Sequence, residues 1–132
     1  IEMEEVKFYT NSNLMTPESE RELKELLAMM NENPDYKIRI HGHTNGTQGR
    51  DIVSWEEGQD LFHPDASNKK HAGSAKELSS LRAESVKRYL TDNGVAENRI
   101  STKGEGGVQM IYDPRGTMAA LNDRVEIEVT KH

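Results

Sequence analysis

The sequence predicts an α+β fold, a β-α-β-α-β-β sandwich in which a small mixed sheet is covered on one face by two main helices. Two segments have apolar residues at helical spacing, and others alternate apolar with polar residues as half-buried strands do. The order along the chain is strand, helix, strand, helix, strand, strand. Packing both helices against one face of the sheet is the natural arrangement for that order.

Length and composition set the limits of this prediction. The 132 residues are enough for one domain over 1–132, and the 23 acidic against 17 basic residues give a net charge of -6. No dense basic run is present, so nucleic acid is not an expected partner. The absence of cysteine excludes a thiolate metal site and a cysteine nucleophile. No stretch is apolar enough for a membrane span, and because the sequence begins at Ile1 we expect a processed chain or a domain of a longer protein.

The first half predicts a strand, a helix and a second strand. Residues 6–9 are strand-like, and turn formers follow them. Thr16-Pro17-Glu18 combines an N-cap, a first-turn proline and an acid, and it predicts a helix over about 17–32 that Pro34 ends. Residues 36–43 alternate, which places Ile38 and Ile40 on one face and the histidines on the other.

The second half contains an insertion, a helix and two strands. Residues 47 to about 73 lack periodicity and predict an irregular insertion around isolated Trp55, Leu61 and Phe62. Ser74 and Glu77 fit a capping box for a second helix that ends near Asn93, with Gly94 as its C-cap. Residues 99–103 and 123–130 predict the last two strands.

Most candidate chemical sites in the sequence have simpler structural interpretations. His41 and His43, with His63 and His71, offer zinc ligands, but no ligand spacing supports a site, and solvent-facing histidines are the favoured alternative. The glycine-rich segment 104–107 lacks the spacing of a phosphate-binding loop and predicts a tight turn. The serines of the second helix lack the glycine-flanked turn of a hydrolase nucleophile.

Arg82 stands out because it lies in the middle of the second helix, beside apolar Leu81 and Ala83. A surface ion pair explains it as well as a ligand site does. In a ligand site the planar guanidinium would hold a carboxylate through two parallel hydrogen bonds.

Three ordered blocks of sequence carry a resemblance to a known family. They are Ile40 to Gly46, Leu78 to Ala83, and Asn122 to Ile127. Together they resemble the OmpA-like (OmpA/MotB C-terminal, Pal-like) peptidoglycan-binding domain over nearly the whole chain. The family pattern is G-x-T-D-x-x-G, then L-S-x-x-R-A, then N-R-R-V-E-I. The long insertion resembles the variant found in PorE-type secretion and gliding components.

The resemblance implies a non-catalytic domain that anchors an envelope complex to the cell wall. It implies a periplasmic location at the outer membrane and wall of a Gram-negative-type bacterium. The implied ligand is the diaminopimelate of the peptidoglycan stem peptide, with Arg82 on its carboxylate; other envelope proteins are expected partners of the rest of the parent chain. No cofactor, metal ligand or catalytic residue is expected. The predicted ligand-binding residues are His43, Thr44, Asn45, Gly46, Gly73, Ser74, Ala75, Leu78, Arg82 and Arg124.

Two departures from the family pattern affect the implied site. Asn45 replaces the aspartate that faces the ligand ammonium, and an amide supplies no charge. The insertion offers candidate replacements in Asp51, Glu56 and Asp65. Only the second arginine of N-R-R remains, Arg124, which either contacts the peptide or pairs with neighbouring acids.

Two other functions stay open at the level of sequence. The first is an assembly module that has lost strong peptidoglycan affinity, suggested by Asn45 and by Trp55 and Phe62 of the insertion. The second is an enzyme acting on the wall, for which no nucleophile, metal set or acid pair stands in a defined arrangement.

Overall fold

The structure, a computed structural model, describes residues 1–111, 113, 115–118 and 122–132. A short 3-10 turn at Pro17–Ser19 leads into helix α1 (Glu20–Glu32), and helix α2 is Ala75–Asp92. The strands are β1 (Lys37–His43), β2 (Arg50–Ser54), β3 (Lys69–Gly73), β4 (Ile100–Gly104) and β5 (Arg124–Lys131). None of the helices in these ranges is long and apolar enough to cross a bilayer.

The main sheet has three strands in the order β4-β1-β5. β1 is parallel to β4, which it reaches through α2, and antiparallel to β5. The sheet is therefore mixed, and its parallel pair needs a crossover such as α2 provides. The predicted α+β class is confirmed.

One apolar cluster joins the sheet to both helices. Ile38 and Ile40 of β1 are buried in the same cluster as Leu23 of α1 and as Val86 and Leu90 of α2. Both helices therefore cover the same face of β1, as the alternating pattern of 36–43 predicts.

The helix ends follow the predicted signals in part. Ser74 Oγ accepts a hydrogen bond from Glu77 N at 3.0 Å, and Gly94 has a φ of 97° just beyond the helix. Those two signals therefore place the ends of α2 correctly. Thr16 makes no side-chain cap bond, and its hydroxyl lies 3.1 Å from Ser19 Oγ instead. The first turn is 3-10, so the role predicted for Thr16 is wrong although the helix starts where expected.

The strand predicted at residues 6–9 is wrong. Phe8 makes a single bridge with Met15, and the segment turns back on itself through the bonds Tyr9 N to Leu14 O (3.0 Å) and Thr16 N to Lys7 O (2.9 Å). Those bonds use backbone groups that a sheet neighbour would otherwise take. The N-terminal segment is therefore a compact loop, and it lies against α2.

The insertion is not irregular throughout, which corrects the sequence-based interpretation of 47–73. β2 and β3 form an antiparallel pair, with Arg50 opposite Gly73 and Ser54 opposite Lys69. None of the residues of β3 is buried, so its sequence lacks the alternation of apolar and polar residues that predicts a strand. Residues 55–68 between the strands contain neither helix nor strand.

The aromatic residues of the insertion pack inward. Trp55 Nε1 donates to Ser85 Oγ at 2.7 Å, and the Arg88 guanidinium lies 4.8 Å from the centre of the Trp55 ring. Phe62 packs edge-on against Tyr89 at 6.0 Å. These contacts attach the insertion to α2.

Candidate functional site

Arg82 is buried on the face of α2 that meets the N-terminal loop. Its side chain is held by Nε donating to Ser12 O at 2.9 Å and by Nη2 donating to Tyr9 O at 3.4 Å. Nη1 donates to Asp123 Oδ1 at 3.1 Å, and the guanidinium lies 5.0 Å from the centre of the Phe8 ring. The surface ion pair considered from the sequence is therefore the wrong description, since the residue is 5% exposed.

Burial disfavours the charged form of Arg82, and Asp123 favours it. Burial lowers the pKa of Arg82, and the carboxylate of Asp123 opposes that shift through its charge and hydrogen bond. A guanidinium has five N–H donors and stays charged in proteins. Three donors are used within the described residues, so one N–H on each terminal nitrogen has no acceptor among those residues.

A groove of about 310 Å³ opens beside Arg82, and we call it the Arg82 groove. It lies between the N-terminal loop, the start of β2 and the residue before β5. Its lining residues are Val6, Lys7, Phe8, Thr10, Asn11, Arg50, Arg82 and Asp123.

The loop after β1 reaches the same place through Asp123. The Asn45 amide N donates to Asp123 Oδ1 at 3.1 Å, so one carboxylate oxygen accepts from both Asn45 and Arg82. Asn45 Oδ1 accepts from Asn122 Nδ2 at 2.8 Å, and Gly46 has a φ of 86°. Asn45 and Gly46 also line a second groove of about 500 Å³, the Asn45 groove, which shares Arg50 with the first.

The glycine-rich turn at 104–107 supports that loop, which agrees with the tight turn predicted for it. Gly106 O accepts from the Thr44 amide at 2.8 Å, and the Thr44 hydroxyl donates to Gly46 O at 3.0 Å. A Cβ at Gly107 would lie 2.1 Å from Gly46 O, so only glycine allows this approach. Thr44 is fully buried and shapes the loop from inside.

Asp123 is the acid that the structure brings beside Arg82 and Asn45, and no sequence motif predicted its position there. Neither groove is lined by Asp51, Glu56 or Asp65. Asp51 is exposed on β2, and Asp65 accepts hydrogen bonds from Ser67. The sequence contains a sign of this arrangement. Relative to the family pattern, position 45 has lost an acidic residue and position 123 has gained one.

The other predicted ligand residues have structural partners. Ala75 and Leu78 are buried in α2, Ser74 caps it, and a Cβ at Gly73 would lie 2.5 Å from Ile52 Cδ1. None of the four lines either groove.

Arg124 is buried and ion-paired with Glu126, and it donates from Nη2 to Gln109 O at 2.9 Å. Of the two roles considered for it from the sequence, the structure shows the pairing with a neighbouring acid.

The four histidines considered as zinc ligands do not form one cluster among the described residues. His41 Nδ1 lies 2.8 Å from Glu105 Oε1 and its Nε2 lies 2.9 Å from Glu128 Oε1, while His63 and His71 pair with Asp60 and Glu77. The residues that the structure describes contain no group of three His, Asp or Glu side chains placed to hold a metal ion. His43 is buried, and neither of its ring nitrogens is hydrogen-bonded to another described residue, although Nε2 lies 3.6 Å from Glu126 Oε1. The solvent-facing position predicted for it is therefore wrong.

Acidification is expected to destabilise the fold as His43 becomes protonated. Burial, together with the positive charge of Arg124, lowers the pKa of His43 against the opposing charges of Glu126 and Glu105. Below the usual histidine pKa of about 6.5, the unfolded chain binds more protons than the folded chain. The free energy of unfolding therefore decreases as the pH is lowered, until the pH drops below the pKa of His43 in the folded protein. Thermal unfolding followed from pH 8 to pH 5 measures this loss.

A second loss is expected at lower pH. The hydrogen bond from His41 holds the pKa of Glu105 below its ordinary value, so the stability that the ionised Glu105 contributes is lost as pH falls through that lowered pKa.

Replacing His43 with Gln should remove the loss of stability assigned to His43, whereas His63→Gln, at an exposed site, should retain it. An unchanged pH profile in His43→Gln would contradict the assignment.

Comparison with known proteins decides the family. The OmpA family model matches residues 7–124. The chain belongs to the OmpA family.

Individual relatives agree with this assignment. Outer membrane porin F of Pseudomonas fluorescens is 32% identical over 127 residues, which are 95% of this chain and 32% of that protein. The chain thus spans about a third of the length of this relative.

Solved structures share the fold at lower identity. The C-terminal domain of Helicobacter pylori MotB superposes with a TM-score of 0.69 at 18% identity, covering 97% of this chain and 82% of that one. The cell wall anchor of the T6SS from Pseudomonas aeruginosa gives a TM-score of 0.67 at 18% identity, covering 96% and 76%.

Proposed function

We propose that this OmpA-family domain binds the peptidoglycan stem peptide non-covalently, by its diaminopimelate, and so anchors an envelope complex to the cell wall. The observation that carries the proposal is the buried guanidinium of Arg82, which lines an open groove beside the carboxylate of Asp123 and keeps N–H donors that no described residue accepts. The fold shared with a solved cell wall anchor supports it.

The free end of diaminopimelate is a zwitterion, with a carboxylate and an ammonium on one carbon. Arg82 offers that carboxylate two N–H donors on a guanidinium already fixed by two carbonyls. Asp123 Oδ1 is occupied by Arg82 and Asn45, which leaves Oδ2 to accept from the ammonium. The side chain of Asp123 is 41% exposed, so the ligand can reach it.

In this proposal the site binds without catalysis. Ser79, the serine nearest the glycine-rich turn, has its hydroxyl engaged: Oγ donates to Lys76 O at 2.7 Å and accepts from Gly106 N at 2.9 Å. We place the domain in the periplasm, at the outer membrane and wall, with further envelope proteins contacted by other parts of the parent protein. Outer membrane porin F, of which the chain matches about a third, supports that location.

Two observations favour this function over an assembly module without wall affinity. Trp55 and Phe62, which suggested a partner surface, pack against α2. The charge missing at Asn45 is supplied one hydrogen bond away by Asp123.

Arg82→Lys is expected to reduce co-sedimentation with purified sacculi by about tenfold or more, because lysine keeps the charge but lacks the two-pronged geometry. The measurement is the bound fraction against sacculus concentration. Circular dichroism and thermal unfolding establish that the variant is folded.

The matched control is Arg39→Lys, at an exposed arginine whose only acidic contact in the described part of the chain is Glu128 at 4.0 Å. This variant should bind as the wild type does. Wild-type protein that fails to sediment with sacculi, or folded Arg82→Lys with unchanged binding, would disprove the proposal.

A further inference from the structure

Arg50 brings a second guanidinium to the site from the insertion. It is the first residue of β2, and it lines both the Arg82 groove and the Asn45 groove. Its Nε and Nη2 donate to Gln48 O at 3.3 and 3.0 Å. Among the described residues it has no acidic partner at ion-pair distance, in contrast to Arg82.

Strand β2, which carries Arg50, is hydrogen-bonded to the N-terminal loop that lines the Arg82 groove. Val53 N donates to Asn11 O at 3.0 Å, and Ser12 Oγ donates to Val53 O at 2.6 Å. Trp55 N donates to Asn13 Oδ1 at 3.1 Å. These bonds tie β2 to the loop that also holds Arg82, so little ordering of the backbone is needed when a ligand binds.

The charges in the groove are unbalanced. Arg82 and Arg50 contribute two guanidinium groups, and Lys7 contributes an exposed ammonium. Asp123 contributes the one carboxylate among the lining residues. The positive charge of Arg50 adds to burial in lowering the pKa of Arg82, which indicates that the two cations act on each other. On a chain of net charge -6, this concave surface is a local excess of positive charge, which attracts anions.

We propose that Arg50 binds a second carboxylate of the ligand, so that the groove selects stem peptides ending in diaminopimelate with its chain-terminal carboxyl free. This inference rests on the proposed function. A chain-terminal diaminopimelate carries two carboxylates and one ammonium. In this proposal the guanidinium groups of Arg82 and Arg50 bind the two carboxylates and Asp123 binds the ammonium, while the exposed Lys7 takes no part. Amidation or chain extension at that carboxyl removes one of the two negative charges from diaminopimelate.

The test compares two synthetic tripeptides that end in diaminopimelate and differ only in whether the chain-terminal carboxyl is free or a primary amide. Isothermal titration calorimetry should show the wild type binding the free acid about tenfold more tightly, as one charge-assisted contact at a half-exposed site supplies. Arg50→Gln should weaken binding of the acid and leave the amide unchanged, which abolishes the preference.

Two control variants make the result specific to Arg50. Lys70→Gln removes a positive charge from β3 of the same hairpin, outside both grooves, and should keep the preference. Lys7→Gln removes the flexible cation of the Arg82 groove and should also keep it.

The outcomes separate this inference from the proposed function. Binding of both peptides by the wild type without preference, or a preference that survives Arg50→Gln, overturns the role of Arg50 alone. Loss of the preference in Lys7→Gln assigns the second carboxylate to Lys7 and also overturns it. A wild type that binds neither peptide overturns both proposals.

Discussion

Arg82→Ala is expected to lower the free energy of unfolding by about 3 kcal/mol, the largest stability effect at the site. The side chain is buried, and its removal takes the hydrogen-bond donor Nε from Ser12 O, whereas Tyr9 O keeps the bond from Ser12 N at 3.1 Å. A cavity beside Phe8 adds to the cost. The ion pair with Asp123 adds less, because water can solvate that half-exposed carboxylate once it is released.

Chemical denaturation at neutral pH measures this effect. Arg39→Ala, at an exposed arginine of β1, should change the free energy of unfolding by less than about 0.5 kcal/mol. An Arg82→Ala variant as stable as the wild type would show that the three hydrogen bonds and the ring contact of the guanidinium are not required for the fold. Because a large loss is expected, binding is better tested with Arg82→Lys.

Asp123→Asn is expected to weaken binding of a diaminopimelate peptide by about 10- to 100-fold, because it removes the carboxylate proposed to face the ligand ammonium. Adding Asn45→Asp should restore much of the affinity. An aspartate at 45 keeps an acceptor for Asn122 Nδ2 and returns a negative charge to the loop. Calorimetric titration of the single and double variants with one peptide measures both steps.

The control for this pair is Asp51→Asn, which removes an acid from the exposed face of β2. It should leave affinity unchanged. A single variant Asp123→Asn that binds normally, or a folded double variant that regains nothing, would contradict the idea that positions 45 and 123 exchange the same charge.

Half of the candidate site was predictable from sequence because it lies in segments with strong local signals. The stripe of α2 and the Ser74 cap fix the face and start of the helix that carries Arg82. Strand β1 ends at the loop of Thr44 to Gly46, as its alternation predicts. That these residues bind a ligand stays a prediction.

The other half depends on contacts between distant segments. Asp123 lies 41 residues from Arg82 and 78 from Asn45, and only the antiparallel pairing of β5 with β1 brings it to both. Arg50 reaches the groove because β2 is tied to the N-terminal loop, whose own shape no local pattern predicts.

The sequence alone therefore determined the fold class, both helices and the three strands of the main sheet, because each has a periodic or end signal within a few residues. It also placed Arg82 on the second helix. The tertiary structure decided which charges surround Arg82. Burial of the guanidinium, the hydrogen bond of Asn45 with Asp123 and the approach of Arg50 arise from packing between segments far apart in the chain. No window of sequence contains both partners of such a contact.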